Sequence, residues 1–241
     1  MTDSECFSEA RPHANGRGAG AGRQGRDIAT VTNTSVYMTV DGNSRDTIEA
    51  IEATDARLGA TSAVAHRIDG DVRFLDFPFT DESATFQDHF DRVIEYRPTL
   101  TVAPDVEKGR QPEDVYHMAE DLNGYADAVV VVPKDVHPSE VPGQFRVGVT
   151  LANFGSSAPW SLWDYRDCGP VHLLGGPPSR QIEAAHYLDV ASVDTSTLGM
   201  RCHFGTWDRE SGARDAPDGW DYSRRLEHAL SEYAAAWGAA E

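Results

Sequence analysis

Residues Val171–Leu198 read VHLLGGPPSRQIEAAHYLDVASVDTSTL, and this run decides the fold class. It holds a short apolar strand (Val171–Leu174), a Gly-Gly-Pro-Pro turn, a helix and a second short strand (Val190–Val193), with Asp194 at the strand's C-terminal edge. Strand, helix and strand in so short a span make one βαβ unit. A carboxylate at a strand's C-terminal edge stands where α/β barrels keep their chemistry.

The same alternation runs through the preceding sequence. Ser35–Val40 is a predicted strand, and Asp46 is placed to cap a helix that buries Ile48, Ile51 and Leu58 and stops at Gly59. Ser62–Ile68 and Val72–Phe77 read as two strands joined as a hairpin at Asp69-Gly70-Asp71. Ser83 is placed to cap a helix with Phe86, Phe90, Val93 and Ile94 on one face. Thr99–Ala103 reads as a strand, and Pro112 opens a helix that stops at Gly124. Ala128–Val132 and Phe145–Leu151 are further strands, Trp160–Asp167 reads as helical, and Tyr222–Trp237 repeats apolar residues at helical spacing as a docking face.

A strand that is apolar throughout, such as AVVVV at 128–132, belongs in a parallel sheet covered on both faces. That leaves a closed barrel or an open doubly wound sheet. No G-x-G-x-x-G follows the first strand, so the nucleotide-binding version loses its best argument. The expected fold is a (β/α)8 TIM-type barrel, truncated or decorated, over residues 34–241.

Residues 1–33 stand apart. The run RPHANGRGAGAGRQGR (Arg11–Arg26) has almost nothing to bury and is expected to be disordered, either as a nucleic-acid-binding arm or as a plain extension. The chain carries 39 acids against 21 bases, for a formal charge of −18, and its only lysines are Lys108 and Lys134. An acidic, lysine-poor surface suits a protein dispersed in concentrated salt, so a halophilic host is expected and global acidity argues little against a nucleic-acid partner. Cys6, Cys168 and Cys202 are too few for a disulfide framework or a four-cysteine zinc site. No apolar run approaches a membrane span and no signal-peptide core is visible, so a cytoplasmic location is expected. The histidines form neither H-x-H nor H-E-x-x-H, and neither a metal nor a cofactor is expected. His172, in mid-strand, reads as a packed core residue.

A barrel converges its strand C-termini on one face. That face should carry Asp76, Asp105, Lys134 with Asp135, Asn153, Gly175 with Gly176, and Asp194. Lys134 suits either a phosphate contact or an ion pair with Asp135 or another nearby acid. Gly175-Gly176 reads as a phosphate cradle or, since Pro177 and Pro178 remove two N–H donors, a tight turn. Trp160, Trp163 and Tyr165 suit base stacking or a satellite core.

In their order along the chain, FLDFPFTD, TVAPDVE, RVGVTLANFG and LLGGPPSRQIEAAHYLDVASVDTST resemble the tRNA-guanine transglycosylases, and among them the zinc-less 7-deazaguanine DNA transglycosylases. The structural zinc cluster of the tRNA enzymes has no counterpart here, since Cys202-His203 is a lone pair. The resemblance implies base exchange through a covalent aspartyl intermediate, with Asp194 as nucleophile, Asp76 as general acid/base, and Asp105 and Gly148 in the base pocket. The partners it implies are DNA or tRNA and a free 7-deazaguanine base, with a homodimer as the expected assembly. The competing reading is a non-catalytic barrel that binds nucleic acid or protein.

Overall fold

A computed structural model describes residues 34–151, 160–209 and 212–238. The N-terminal arm and Asn153 lie outside the described residues. Eight parallel strands close into a barrel: β1 (Ser35–Val40), β2 (Arg57–Thr61), β3 (Phe74–Asp76), β4 (Leu100–Val102), β5 (Val129–Val131), β6 (Arg146–Thr150), β7 (Val171–Leu174) and β8 (Val190–Thr195). The strands pair in sequence order, and β8 returns to β1 with Tyr37 opposite Asp194. The fold is the (β/α)8 TIM type.

Helices cover four of the crossovers: α1 (Arg45–Glu52), α2 (Phe86–Tyr96), α3 (Pro112–Asn123) and α4 (Pro178–Ala185). Among the described residues, the other crossovers carry single 3-10 turns, at Ala65–Arg67, Pro138–Glu140 and Leu162–Tyr165. After β8 come α5 (Thr197–His203), an antiparallel hairpin of β9 (Thr206–Arg209) and β10 (Gly212–Asp215), and α6 (Tyr222–Ala236). Leu226, Leu230, Tyr233 and Trp237 are buried, so the C-terminal helix docks on the barrel through the face its spacing marked out. None of the described helices is long and apolar enough to cross a membrane.

The valine run shows how sequence becomes barrel. Val129 and Val131 pack outward against the helices, while Val130 and Val132 join the inner core with Tyr37, Phe74, Leu100, Val102 and Leu174. An interior of fixed bore must mix large and small side chains. Phe74 fills the space left by Gly59, where an added Cβ would come within 2.8 Å of its ring.

That packing overturns the expected hairpin. Gly59 is not a helix stop but the inward centre of β2, so α1 ends at Glu52 and Leu58 serves the sheet. β2 and β3 pair in parallel, and Asp69-Gly70-Asp71 lies in the crossover between them. The cap of α2 is Thr85, which accepts from the Asp88 N–H at 3.1 Å, rather than Ser83. The helix expected at Trp160–Asp167 shortens to the 3-10 turn Leu162–Tyr165.

Gly148 also lies inside the barrel, below the mouth. A Cβ there would stand 2.8 Å from each of Leu174 Cδ1, Val130 Cγ1 and Val132 Cγ2. Its smallness therefore serves packing inside the barrel. Gly148→Ala should destabilise the fold by about 1–3 kcal/mol, the usual effect of overpacking a dense core. Urea unfolding of the two proteins measures the difference, and an unchanged midpoint would contradict this packing.

Candidate active site at the barrel mouth

Asp76 is the last residue of β3, Asp194 the penultimate residue of β8, and Asp105 follows β4. All three come to the C-terminal end of the barrel, as their positions at strand ends require. Gly175, Gly176 and Lys134 reach the same end.

Asp194 is held from several sides. The Gly175 N–H donates to its Oδ1 at 3.1 Å, and the Thr39 hydroxyl lies 3.4 Å from Oδ2 as donor. Gly175 and Gly176 have φ of 60° and 83°, the left-handed region glycine favours. At Gly176 a Cβ would also meet Leu151 at 2.9 Å. The glycine pair is thus a tight turn that aims one N–H at Asp194. Gln181 of α4 ties turn and strand together, its amide donating to the carbonyls of Gly175 (2.8 Å) and Asp194 (2.7 Å), and Tyr233 of α6 donates to its Oε1.

A polar chain approaches Asp194 from inside the barrel. Arg146 Nη1 donates to Ser192 Oγ at 2.8 Å, and Ser192 Oγ lies 2.8 Å from His172 Nδ1. His172 Nε2 stands 3.4 Å from Asp194 Oδ1 without hydrogen-bond alignment, so that contact is electrostatic. Burial lowers the imidazole's pKa, with Asp194 opposing, which favours the neutral ring. The network assigns its proton to Nε2, facing Asp194, with the Ser192 hydroxyl donating to Nδ1. His172 is buried, as expected, but it packs against the site. Its signal was present in the sequence: 172, 192 and 194 share one inward phase of period two.

Asp105 is almost wholly buried and forms an ion pair with Lys134. Backbone register makes that pair. Val106 bridges Pro133, and its carbonyl accepts from the N–H groups of Lys134 (2.9 Å) and Asp135 (2.8 Å), carrying the β4–β5 pairing past the strand ends. Burial pushes the Asp105 pKa up to about 6, against the pull of Lys134. The ammonium also lies 5.5 Å from the Phe79 ring centroid.

Asp76 is the most perturbed member. Its Oδ1 is buried without a hydrogen-bond partner. Burial, then the charges of Asp194 and Asp105, push its pKa well above the carboxylate range, and the Phe77 N–H opposes weakly. Two carboxylates that repel a third are a standard way to keep one acid protonated beside an ionised one. The aromatic cluster divides. Tyr165 is buried, Trp160 donates to the Pro133 carbonyl at 2.9 Å, and Trp163 is exposed beside Tyr187, so the first two are packing residues. Among the described residues, no group of three His, Cys, Asp or Glu side chains is gathered to hold a metal ion.

Fold and site define a TIM-type barrel with a carboxylate-rich mouth. Residues 56–238 match the model of a family of unknown function (DUF6610), and the chain belongs to that family. No curated protein matches the sequence. Among solved structures, the YdjI aldolase from Escherichia coli K12 is similar, with TM-score 0.56, 11% identity, and 88% of this chain and 94% of that one covered. A structure assigned as a fructose-1,6-biphosphate aldolase from Coccidioides immitis gives TM-score 0.52 and 12% identity over 90% and 96% of the two chains. At such identities the likeness shows the fold alone.

These findings overturn the transglycosylase resemblance. The family is one of unknown function, and the two solved structures named above are described as aldolases, not transglycosylases. The ordered acids that carried the resemblance are what any parallel barrel with carboxylates at strand ends presents.

Asp76 gives a stability signature. A carboxyl whose folded pKa is raised stabilises the fold below its unfolded pKa of about 3.9, and that contribution is lost as pH rises through the folded value. Asp76→Asn removes this loss. The variant should therefore gain stability over wild type as pH rises from about 4 towards 8, by about 1.4 kcal/mol per unit of pKa elevation crossed. Urea unfolding at several pH values measures it, and a difference independent of pH would contradict the raised pKa.

Proposed function

We propose that this chain is an aldolase-type lyase that makes or breaks a C–C bond beside a carbonyl through an imine on Lys134. The observation that carries this reading is the Lys134–Asp105 pair, an amine and a pKa-raised carboxyl in contact at the mouth, with two further carboxyls close by. That the two similar structures named above are described as aldolases supports it.

The chemistry assigns each group a task. Lys134 gives a proton to Asp105 and its nitrogen attacks the substrate carbonyl carbon; the carbinolamine then loses water, which takes its proton from a carboxyl. In the resulting iminium, the bond between the α carbon and the hydroxyl-bearing β carbon breaks, its electron pair forming the enamine double bond as the imine pair moves to nitrogen. Asp194, held by the Gly175 N–H and the Thr39 hydroxyl, takes the proton of the departing hydroxyl as the aldehyde leaves. Asp76 in its acid form protonates the enamine carbon, and water hydrolyses the imine to free Lys134. Raised pKa values in a cleft fit groups that must both hold and release protons near neutrality.

Borohydride trapping tests this directly. Incubation with glycolaldehyde, dihydroxyacetone or pyruvate, followed by reduction, should add one substrate less an oxygen atom to the protein at Lys134, because water is lost on condensation and two hydrogens are gained on reduction. The only other lysine, Lys108, is exposed on a loop and serves as an internal control. Lys134→Met should abolish the adduct and Lys108→Met should leave it. Adduct yield at fixed time should rise as pH passes upward through about 6, where Asp105 ionises. With dihydroxyacetone, Asp76→Asn should slow exchange of carbon-bound protons for deuterium by about 10²–10⁴-fold. A protein that forms no adduct with any probe, or whose adduct survives Lys134→Met, is not this enzyme; a barrel that only binds would give neither adduct nor exchange.

A further inference from the structure

A cleft of about 740 Å³ opens on the rim between the β1–α1 loop and the start of α5. It begins beside the carboxylates. Thr39 in its wall is the donor to Asp194, and Thr61 is the strand partner of Asp76. Its size falls within the roughly 300–1,000 Å³ of small-ligand sites.

The chemistry of its lining is narrow. Thr39, Thr61, Ser196, Asn43 and Tyr222 offer hydroxyl and amide groups that both donate and accept, while Asp41 is the acid and neither Lys nor Arg lines the cleft. Met38 and Met200 supply apolar surface against which C–H faces can lie. An anionic ligand finds little here. Phosphate recognition relies on Arg, Lys or a free helix N-terminus. Two helices start at this rim: α1 has Asp41 before it and Asp46 in its first turn, with Arg45 paired to Glu49, and α5 is only seven residues long with its Thr197 N–H already donated to the Thr195 hydroxyl at 3.2 Å. The other phosphate candidate, the Gly175-Gly176 turn, has spent its Gly175 N–H on Asp194.

We infer that this cleft holds the hydroxylated part of the substrate, and that the substrate is a neutral sugar or sugar-like polyol rather than a sugar phosphate. The inference rests on the mouth being the reacting site, but binding in the cleft is measurable without turnover. Two glycines shape the space. A Cβ at Gly199 would press on Met38 Cε at 2.7 Å, so its absence keeps the floor low. Gly42 has nothing within 4 Å of its Cβ position, so a large side chain there enters open space and obstructs the cleft without disturbing the core.

Methyl-labelled methionine gives the readout, because Met38 and Met200 line the cleft while Met118 lies on α3 and serves as a control. Titration with D-ribose, D-glucose and maltose should shift the Met38 and Met200 methyl signals and leave Met118 unmoved. The matching sugar phosphates should bind at least 10-fold more weakly. Gly42→Trp should reduce the neutral-sugar response at least 10-fold with the Met118 signal unchanged, and should still allow glycolaldehyde trapping at Lys134. Tyr222→Phe, which keeps the ring, should weaken binding several-fold. Lys134→Met should abolish trapping and keep the sugar response, so loss of the imine chemistry and loss of the cleft assignment appear in different arms. Absence of any methionine shift at millimolar neutral sugar, or tighter binding of the phosphates, would overturn the inference.

Discussion

Closure of eight parallel strands forces every second side chain inward, and the rest of this molecule follows from how that interior is filled. A barrel of this bore has no room for a large residue at every inward position. Phe74 is accommodated because Gly59 is small, and Leu174, Val130 and Val132 close over Gly148. Where the packed layer ends, the same inward phase continues as Thr39, Thr61, Asp76 and Asp194. The active-site floor is thus the top of the core, and neither can change independently of the other.

Charge at the mouth is costly to the fold and therefore informative. Burying one carboxylate beside two others raises the pKa of the first, and among the described residues Lys134 is the lysine or arginine in ionic contact with the group, through Asp105. A surface built only for stability would replace Asp76 with a neutral residue. Groups kept in spite of such a penalty mark functional sites. The polar chain from Arg146 through Ser192 and His172 towards Asp194 extends the site into the core and fixes the side of Asp194 that faces away from solvent.

The order of acids along the chain suggested a base-exchange enzyme, and the reason it misled is geometric. A parallel barrel visits its strand ends in sequence order, so any set of mouth carboxylates appears as an ordered motif. What separates one chemistry from another is which groups touch. The Asp105–Lys134 contact depends on the register of β4 against β5 beyond the strand ends, and the freedom of Gly175 to bind phosphate depends on whether Asp194 takes its N–H. Both details shift the reading from a nucleic-acid substrate towards a small hydroxylated carbonyl compound.

Much was legible in the sequence because it rests on local periodicity. The all-apolar run 128–132 required a sheet covered on both faces, the Val171–Leu198 unit placed Asp194 at a strand end, and the spacing of Leu226, Leu230 and Tyr233 marked the docking helix. The β2–β3 region was misread because Gly59 and Asp69-Gly70-Asp71 carry local turn signals that tertiary packing overrides; inside the barrel, Gly59 is small to admit Phe74. His172 looked like ordinary core because burial and proximity to Asp194 have the same sequence signature, an inward position on a strand. Sequence by itself determined the barrel and the rim on which its acids lie, since strand polarity and period two fix both. Only the tertiary structure decided which acid holds Lys134, which carboxyl is forced to keep its proton, and which rim cleft has no Lys or Arg in its lining, because those depend on contacts between residues far apart in the chain.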